Sequence, residues 1–182
     1  MEAKDKFQIS LDSAFYLLKH FDGITIEELE ELEKAGKLID DIKKQFRVIG
    51  SKFDSAHISG YRELLELINT NEPTDVIEQI NGRKAFIFKF NHEIGTDFIQ
   101  NTRALSTLQK SQIITDNRSG YSIRCIKMKA QHTKQLVVVT EGLNLITSYP
   151  GTYAPPLPKD TMDAALFEQC SRFWENHVFI IQ

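Results

Sequence analysis

The groups that could do chemistry lie in the second half of this chain. His92 stands in a turn, Asn91-His92-Glu93, between a strand-like and a helix-like run, where a side chain can clear the core. His132 stands in a second turn, flanked by Lys129 and Lys134. Thr147, Ser148 and Tyr149 end an alternating segment that Pro150-Gly151 stops. Together with Arg103, these groups suit metal-free RNA cleavage, in which a ribose 2′-hydroxyl attacks its own phosphate. The reaction needs a base for the hydroxyl, an acid for the leaving oxygen, and donors around the phosphorane. Histidine supplies the proton transfers near neutral pH. Arginine forks onto phosphate oxygens, and hydroxyls donate to them. His92 is the expected proton-transfer group and His132 the reserve. Thr147 and Tyr149 share a strand face and are the better phosphate donors, with Ser148 pointing away. Lys110, Arg124, Lys127, Lys129 and Lys134 are the expected RNA contacts. Each choice has a plainer alternative: a turn or cap for the histidines, a wet surface for the cations, turn closure for the hydroxyls.

Other chemistries lack their signatures. There is no G-x-x-x-x-G-K or G-x-G-x-x-G loop, no G-x-S-x-G elbow and no H-E-x-x-H. The five histidines are scattered, and Cys125 and Cys170 have no metal spacing. No metal and no cofactor are expected. Cys125 sits in an apolar strand, where a core thiol is the ordinary outcome; a hydrolase or transferase built on it ranks last.

The elements that must position these groups change character at Asn81-Gly82. Residues 1–82 read as an acidic helical region. Ser10 or Asp12 caps a helix carrying Phe15, Leu18 and Phe21, and Thr25 with Glu28 makes a capping box. Further apolar stripes run through Leu38 to Phe46 and Ile58 to Ile68, and a short helix is expected from Thr74 to Ile80. Residues 83–182 read as a second, α+β domain. Phe86, Phe88 and Phe90 alternate along a strand, and Thr96 caps a helix through Leu105 and Leu108 to Gln109, with Arg103 in its middle. Tyr121 to Ala130 is a strand whose phase slips. A bulge near Cys125-Ile126 would restore it and put Arg124, Lys127 and Lys129 on one face. Leu136 to Thr140 is an apolar, β-branched run of the kind buried on both faces, joined by Glu141-Gly142 to the alternating run Leu143 to Tyr149. A helix over Thr161 to Glu175 and a closing strand over His177 to Ile181 complete an α+β fold: a helical N-terminal region, then a curved antiparallel sheet packed against a helix.

The chain has 182 residues, 41% hydrophobic and 26% charged, the composition of an ordinary globular protein. No apolar run approaches a membrane span, and the first ten residues lack a secretory-signal layout. A cytoplasmic site of action is expected, with specialised secretion open. The net charge of −3 hides an asymmetry. Residues 1–82 hold 10 Lys+Arg against 17 Asp+Glu, and residues 83–182 hold 12 against 8. A basic half suggests an anionic partner.

The run from about His92 to Pro150 resembles the barnase-EndoU-colicin-RelE superfamily of metal-independent bacterial toxin RNases. The resemblance rests on the His92-Glu93-Ile94 turn, the Leu136 to Thr140 strand, and Ile146-Thr147-Ser148-Tyr149-Pro150, which is similar to a T-x-Y-P strand end. It implies a small α+β domain, a catalytic role for His92, and phosphate-facing hydroxyls on Thr147, Ser148 and Tyr149. The basic partner stays open among Arg103, Lys110, Arg124 and Lys127. The expected function is an endoribonuclease acting on RNA, with tRNA as one substrate class and a cognate inhibitor or immunity protein as a further partner. The alternative is a non-catalytic interaction module, such as an inhibitor, immunity or phage accessory protein, whose acidic helices are the working surface.

Overall fold

The computed structural model describes residues 6–48, 50–79, 81–118 and 121–181. The N-terminal third is helical where its caps fall. Ser10 caps α1 (Leu11–Leu17), its Oγ accepting the Ser13 N–H at 3.1 Å, and a 3-10 turn over Leu18–His20 follows. The Thr25/Glu28 capping box opens α2 (Ile26–Lys34), and α3 (Ile39–Phe46) follows. A short β1 (Lys52–Phe53) leads to α4 (Tyr61–Thr70). The rest is mostly strand: β2 (Asp75–Glu78), β3 (Lys84–Lys89), β4 (Gly95–Asp97) and β5 (Ile99–Asn101). Then come α5 (Thr107–Ser111), β6 (Ile114–Arg118), β7 (Tyr121–Lys127), β8 (Gln131–Thr133), β9 (Gln135–Glu141) and β10 (Asn144–Pro150). α6 (Ala164–Trp174) and β11 (His177–Ile181) close the chain. No helix among the described residues is long and apolar enough to cross a membrane.

The fold is α+β, as expected, and the strands of the described residues are divided among three sheets. One is antiparallel, in the order β10-β9-β3-β2. Here β9 is an inner strand with Leu136 to Thr140 all buried, which is what a β-branched apolar run demands. Gly142 turns the β9–β10 hairpin at φ +61°, a conformation that favours glycine. A second sheet, β5-β11-β7-β6, sets β11 parallel to β7 and antiparallel to β5. The third is the small β1-β4-β8.

Several expectations are corrected. The helix expected over Thr96–Gln109 is instead β4, β5, a 3-10 turn over Thr102–Ala104, and the short α5. Phe98, Ile99 and Thr102 favour extended backbone. Thr96 does not cap a helix but lies in β4, and the carboxylate of Asp97 beside it accepts the Ile99 N–H and both the N–H and hydroxyl of Thr152. Of the helix expected over Thr74–Ile80, Asp75–Glu78 is instead β2, paired with β3, and Ile80 lies outside the described residues. The boundary placed at residue 82 therefore falls inside a hairpin. One apolar core continues across it. Phe15, Leu17, Leu18, Leu64 and Ile68 pack with Phe88, Leu136, Val138 and Leu145.

The bulge expected near Cys125 is absent, since β7 pairs in even register with both β6 and β11. Both faces of β7 carry apolar residues, so no polar face had to be restored. Ile126 joins Leu105, Val178 and Ile180 on one side, and Cys125 is buried on the other. Even register puts Arg124 and Lys127 on opposite faces. The bulge lies instead in β10, between Leu145 and Thr147. Leu145 is thereby turned into the core under the helices, and Thr147 and Tyr149 to the other side of the sheet.

Candidate functional site

The histidines singled out by sequence meet at one exposed edge, where β3 passes into β4. Phe90 N–H donates to the Lys134 carbonyl and Ile94 N–H to the Thr133 carbonyl, which ties the His92 turn to the strand carrying His132. Thr96 pairs with His132 in the β4–β8 register. His132 Nδ1 lies 3.7 Å from Glu93 Oε2, with both side chains exposed. The His92 ring faces His57, with centroids 4.5 Å apart, and stands 6.1 Å from Phe90. His57 is brought there by a turn on Asp54, whose N–H donates to the Ile94 carbonyl and whose own carbonyl accepts the His57 N–H. Three imidazoles, one carboxylate and the exposed Lys134 thus line a solvent-facing edge. Such a set can hold and exchange protons beside a bound anion.

Thr147, Ser148 and Tyr149 are elsewhere. Ser148 is buried and donates to the Val137 carbonyl at 2.8 Å. Tyr149 Oη is occupied twice by Ala154, accepting its N–H at 2.8 Å and donating to its carbonyl at 3.1 Å. Burial pushes the Tyr149 hydroxyl pKa up, so it stays protonated and structural. Thr147 and the Tyr149 ring line a cavity of about 300 Å³ together with Lys19, His20, Trp174 and Phe179. His92 is not among the residues lining it, so the structure does not bring His92 and the β10 strand end into one cleft. The reason is the sheet itself. Phe90, next to His92, packs toward the helices, whereas Tyr149 packs on the opposite face with Val137 and Val139.

The cations divide as well. Arg124 is not a free phosphate contact: its Nη2 donates to the carbonyls of Trp174 at 2.5 Å, Glu175 at 3.0 Å and His177 at 3.3 Å, closing the C-terminal end of α6. Arg103 is exposed in the 3-10 turn, and Lys110 is exposed on α5. Lys127 and Lys129 are exposed at and beyond the end of β7. Of the five lysines and arginines expected to track RNA, Lys134 is the one tied by hydrogen bonds to the histidine edge.

Two residues that sequence reasoning passed over matter here. His57 carries no local signal, because only the tertiary fold brings it to His92. His20 is buried in the wall of the cavity. Its Nδ1 lies 2.8 Å from the Ser51 carbonyl, which can only accept, so the proton sits on Nδ1 and the lone pair on Nε2. Burial, with Lys19 next to it, lowers its pKa to about 3, and the ring is neutral at physiological pH. Among the described residues no group of three or more His, Cys, Asp and Glu could hold a metal ion. No protein-family model matches this chain, and no curated protein matches it.

Proposed function

We propose that this protein is an endoribonuclease that cleaves RNA without a metal, with the proton transfers carried by histidines at the β3–β4 edge. The observation that carries this reading is the meeting of His92 with His57 at 4.5 Å, beside the His132–Glu93 pair at 3.7 Å. Cleavage by the 2′-hydroxyl requires one group that accepts a proton and one that gives it up, and neighbouring imidazoles supply both. In this reading His92 is the central group, with His132 or His57 as its counterpart. Lys134 attracts the phosphate, and Glu93 stands 3.7 Å from the His132 ring. An exposed edge suits a polyanion that must lie across a surface rather than enter a cavity. The hydroxyls of Ser148 and Tyr149, and Arg124, have structural roles in this account.

The test is incubation of the purified chain with total RNA in EDTA. Discrete fragments ending in 2′,3′-cyclic phosphate are expected. Replacing His92 by Ala should lower the rate roughly 10²–10⁴-fold with unchanged circular dichroism, the usual cost of losing a general acid or base. Intact RNA at high protein concentration would sink the proposal. That outcome would favour a non-catalytic interaction module. One observation favours that second reading: α2 presents Glu27, Glu30 and Glu33 to solvent, Ile26 at its start is 76% exposed, and Leu38 beyond its end is 67% exposed.

A further inference from the structure

The cavity beneath β10 is not part of the histidine edge, and its chemistry is different. Its floor and walls are apolar: the Trp174 and Phe179 rings stack with centroids 4.8 Å apart, and Ile99 and Ile123 lie alongside. Trp174 Nε1 is already occupied, donating to the carbonyls of Pro155 at 3.1 Å and Pro156 at 3.2 Å, so the indole offers a face rather than a donor. The Tyr149 hydroxyl is likewise spent on Ala154. What remains unspent is polar and lines the same cavity. Lys19 is half-buried, and among the described residues its ammonium has no hydrogen-bond acceptor and no carboxylate. The Thr147 hydroxyl, also half-buried, has no partner among them either. His20 offers one acceptor, Nε2, and no charge.

A half-buried ammonium without a counter-ion is unfavourable, and here burial lowers the Lys19 pKa with no carboxylate to oppose it. An anion in the cavity would supply the missing partner, through charge-assisted hydrogen bonds from Lys19 and a further one from Thr147. We infer that this cavity binds a small organic anion with a flat apolar body, the anionic head on Lys19 and Thr147 and the body against Trp174 and Phe179. About 300 Å³, apolar walls and a few converging polar groups are the usual form of a small-molecule site. The ligand is discrete and small, because about 300 Å³ holds no more than that, and the 154–157 segment forms one wall. This goes beyond RNA cleavage and uses none of the edge histidines.

Trp174 is the single tryptophan of the chain, so intrinsic fluorescence reports on this cavity. The 182-residue chain would be titrated with benzoate, phenyl phosphate and, as the neutral counterpart, benzyl alcohol, with calorimetry in parallel. Saturable binding of at least one anion, about tenfold or more tighter than benzyl alcohol, is expected, since hydrogen bonds to a charged group are worth that much. The better of the two anions identifies the head group as carboxylate or phosphate. Lys19→Met should reduce anion affinity to that of the alcohol and leave alcohol binding and RNA cleavage unchanged. No saturable binding of either anion up to about 10 mM, or equal affinity for anion and alcohol in the unmodified protein, would overturn the inference. Because the unmodified protein alone decides between these outcomes, the result does not depend on how the variant folds.

Discussion

His20 shows how one buried side chain can set the pH response of the molecule. It is 8% exposed, and its pKa falls from the ordinary 6.5 to about 3, first through burial and then through the charge of Lys19. In the unfolded chain the ring takes up a proton below pH 6.5, whereas in the folded protein it does not until about pH 3. The unfolded state therefore binds more protons in that window. The contribution to stability is fully present above pH 6.5 and is lost as pH falls toward about 3. Its greatest slope is about 1.4 kcal/mol per pH unit. Asp97 acts in the opposite sense: burial raises its pKa above the ordinary 3.8, so its contribution is complete below 3.8 and is lost as pH rises through the folded value. Comparing the protein with His20→Gln separates the two. Urea midpoints measured from pH 7.5 down to pH 4 should fall more steeply for the unmodified protein than for the variant. Parallel curves would show that His20 is already protonated in the folded state.

The element scale has its own test in the joint between α2 and α4. Glu28 is 1% exposed and does two jobs. Its Oε1 accepts the Thr25 hydroxyl at 2.7 Å within the capping box of α2, and its Oε2 accepts the Arg62 N–H at 3.0 Å in the first turn of α4. One carboxylate thus satisfies the N-termini of two helices, where negative charge is favoured. Gly60, just before α4, permits this, because a Cβ there would collide with the Glu28 carboxylate. Gly60→Ala should cost about 1–3 kcal/mol in denaturant unfolding, the range for disturbing a buried hydrogen-bonded group. Gly23→Ala, with nothing near its Cβ position, should cost no more than about 0.5 kcal/mol. Equal losses at both glycines would mean that Glu28 can move aside freely.

The same joint shows which features could be read from sequence. The Thr25/Glu28 capping box and the Ser10 cap were legible because their partners lie within three residues. The β9–β10 hairpin was legible from a buried β-branched run followed by Glu141-Gly142. Glu28 as a cap for α4 was not, since Arg62 lies 34 residues away. Position in the sheets was equally hidden. Alternation along Leu143 to Tyr149 suggested one face, but the bulge after Leu145 splits it. At the site, the His92 turn was legible; the turn expected at His132 is instead strand β8, paired with β4, and the settings of His57 and His20 were not legible. Each acquires its setting only from a contact between segments remote in the chain.

At the scale of the whole molecule the question is whether the acidic helices are an accessory to the basic half or part of its core. The charge asymmetry suggested an anionic partner for the basic half, and the ion pairs Arg62–Glu31 and Arg172–Glu168 each lie within one half and do not join the two. What the halves share is apolar. Phe88, Leu136, Val138 and Leu145 are each no more than 1% exposed, and their neighbours are the residues of α1 and α4. Backbone pairing adds to this, with β1 bonded to β4 and β2 to β3 across residue 82. Removing residues 1–82 would bare one face of the β10-β9-β3-β2 sheet and leave four large side chains in water, at about 1.5–3 kcal/mol each. A domain of this size is stable by about 5–15 kcal/mol in total. The loss therefore matches the whole margin, before the lost strand pairing is counted. A fragment spanning 83–182 is expected to be aggregated or molten, binding ANS and lacking a cooperative thermal transition, while the full chain unfolds in one step for both near-UV and far-UV dichroism. A soluble 83–182 fragment with a sharp transition would show instead that the sheet folds without the helices, and that residues 1–82 are a separable attachment.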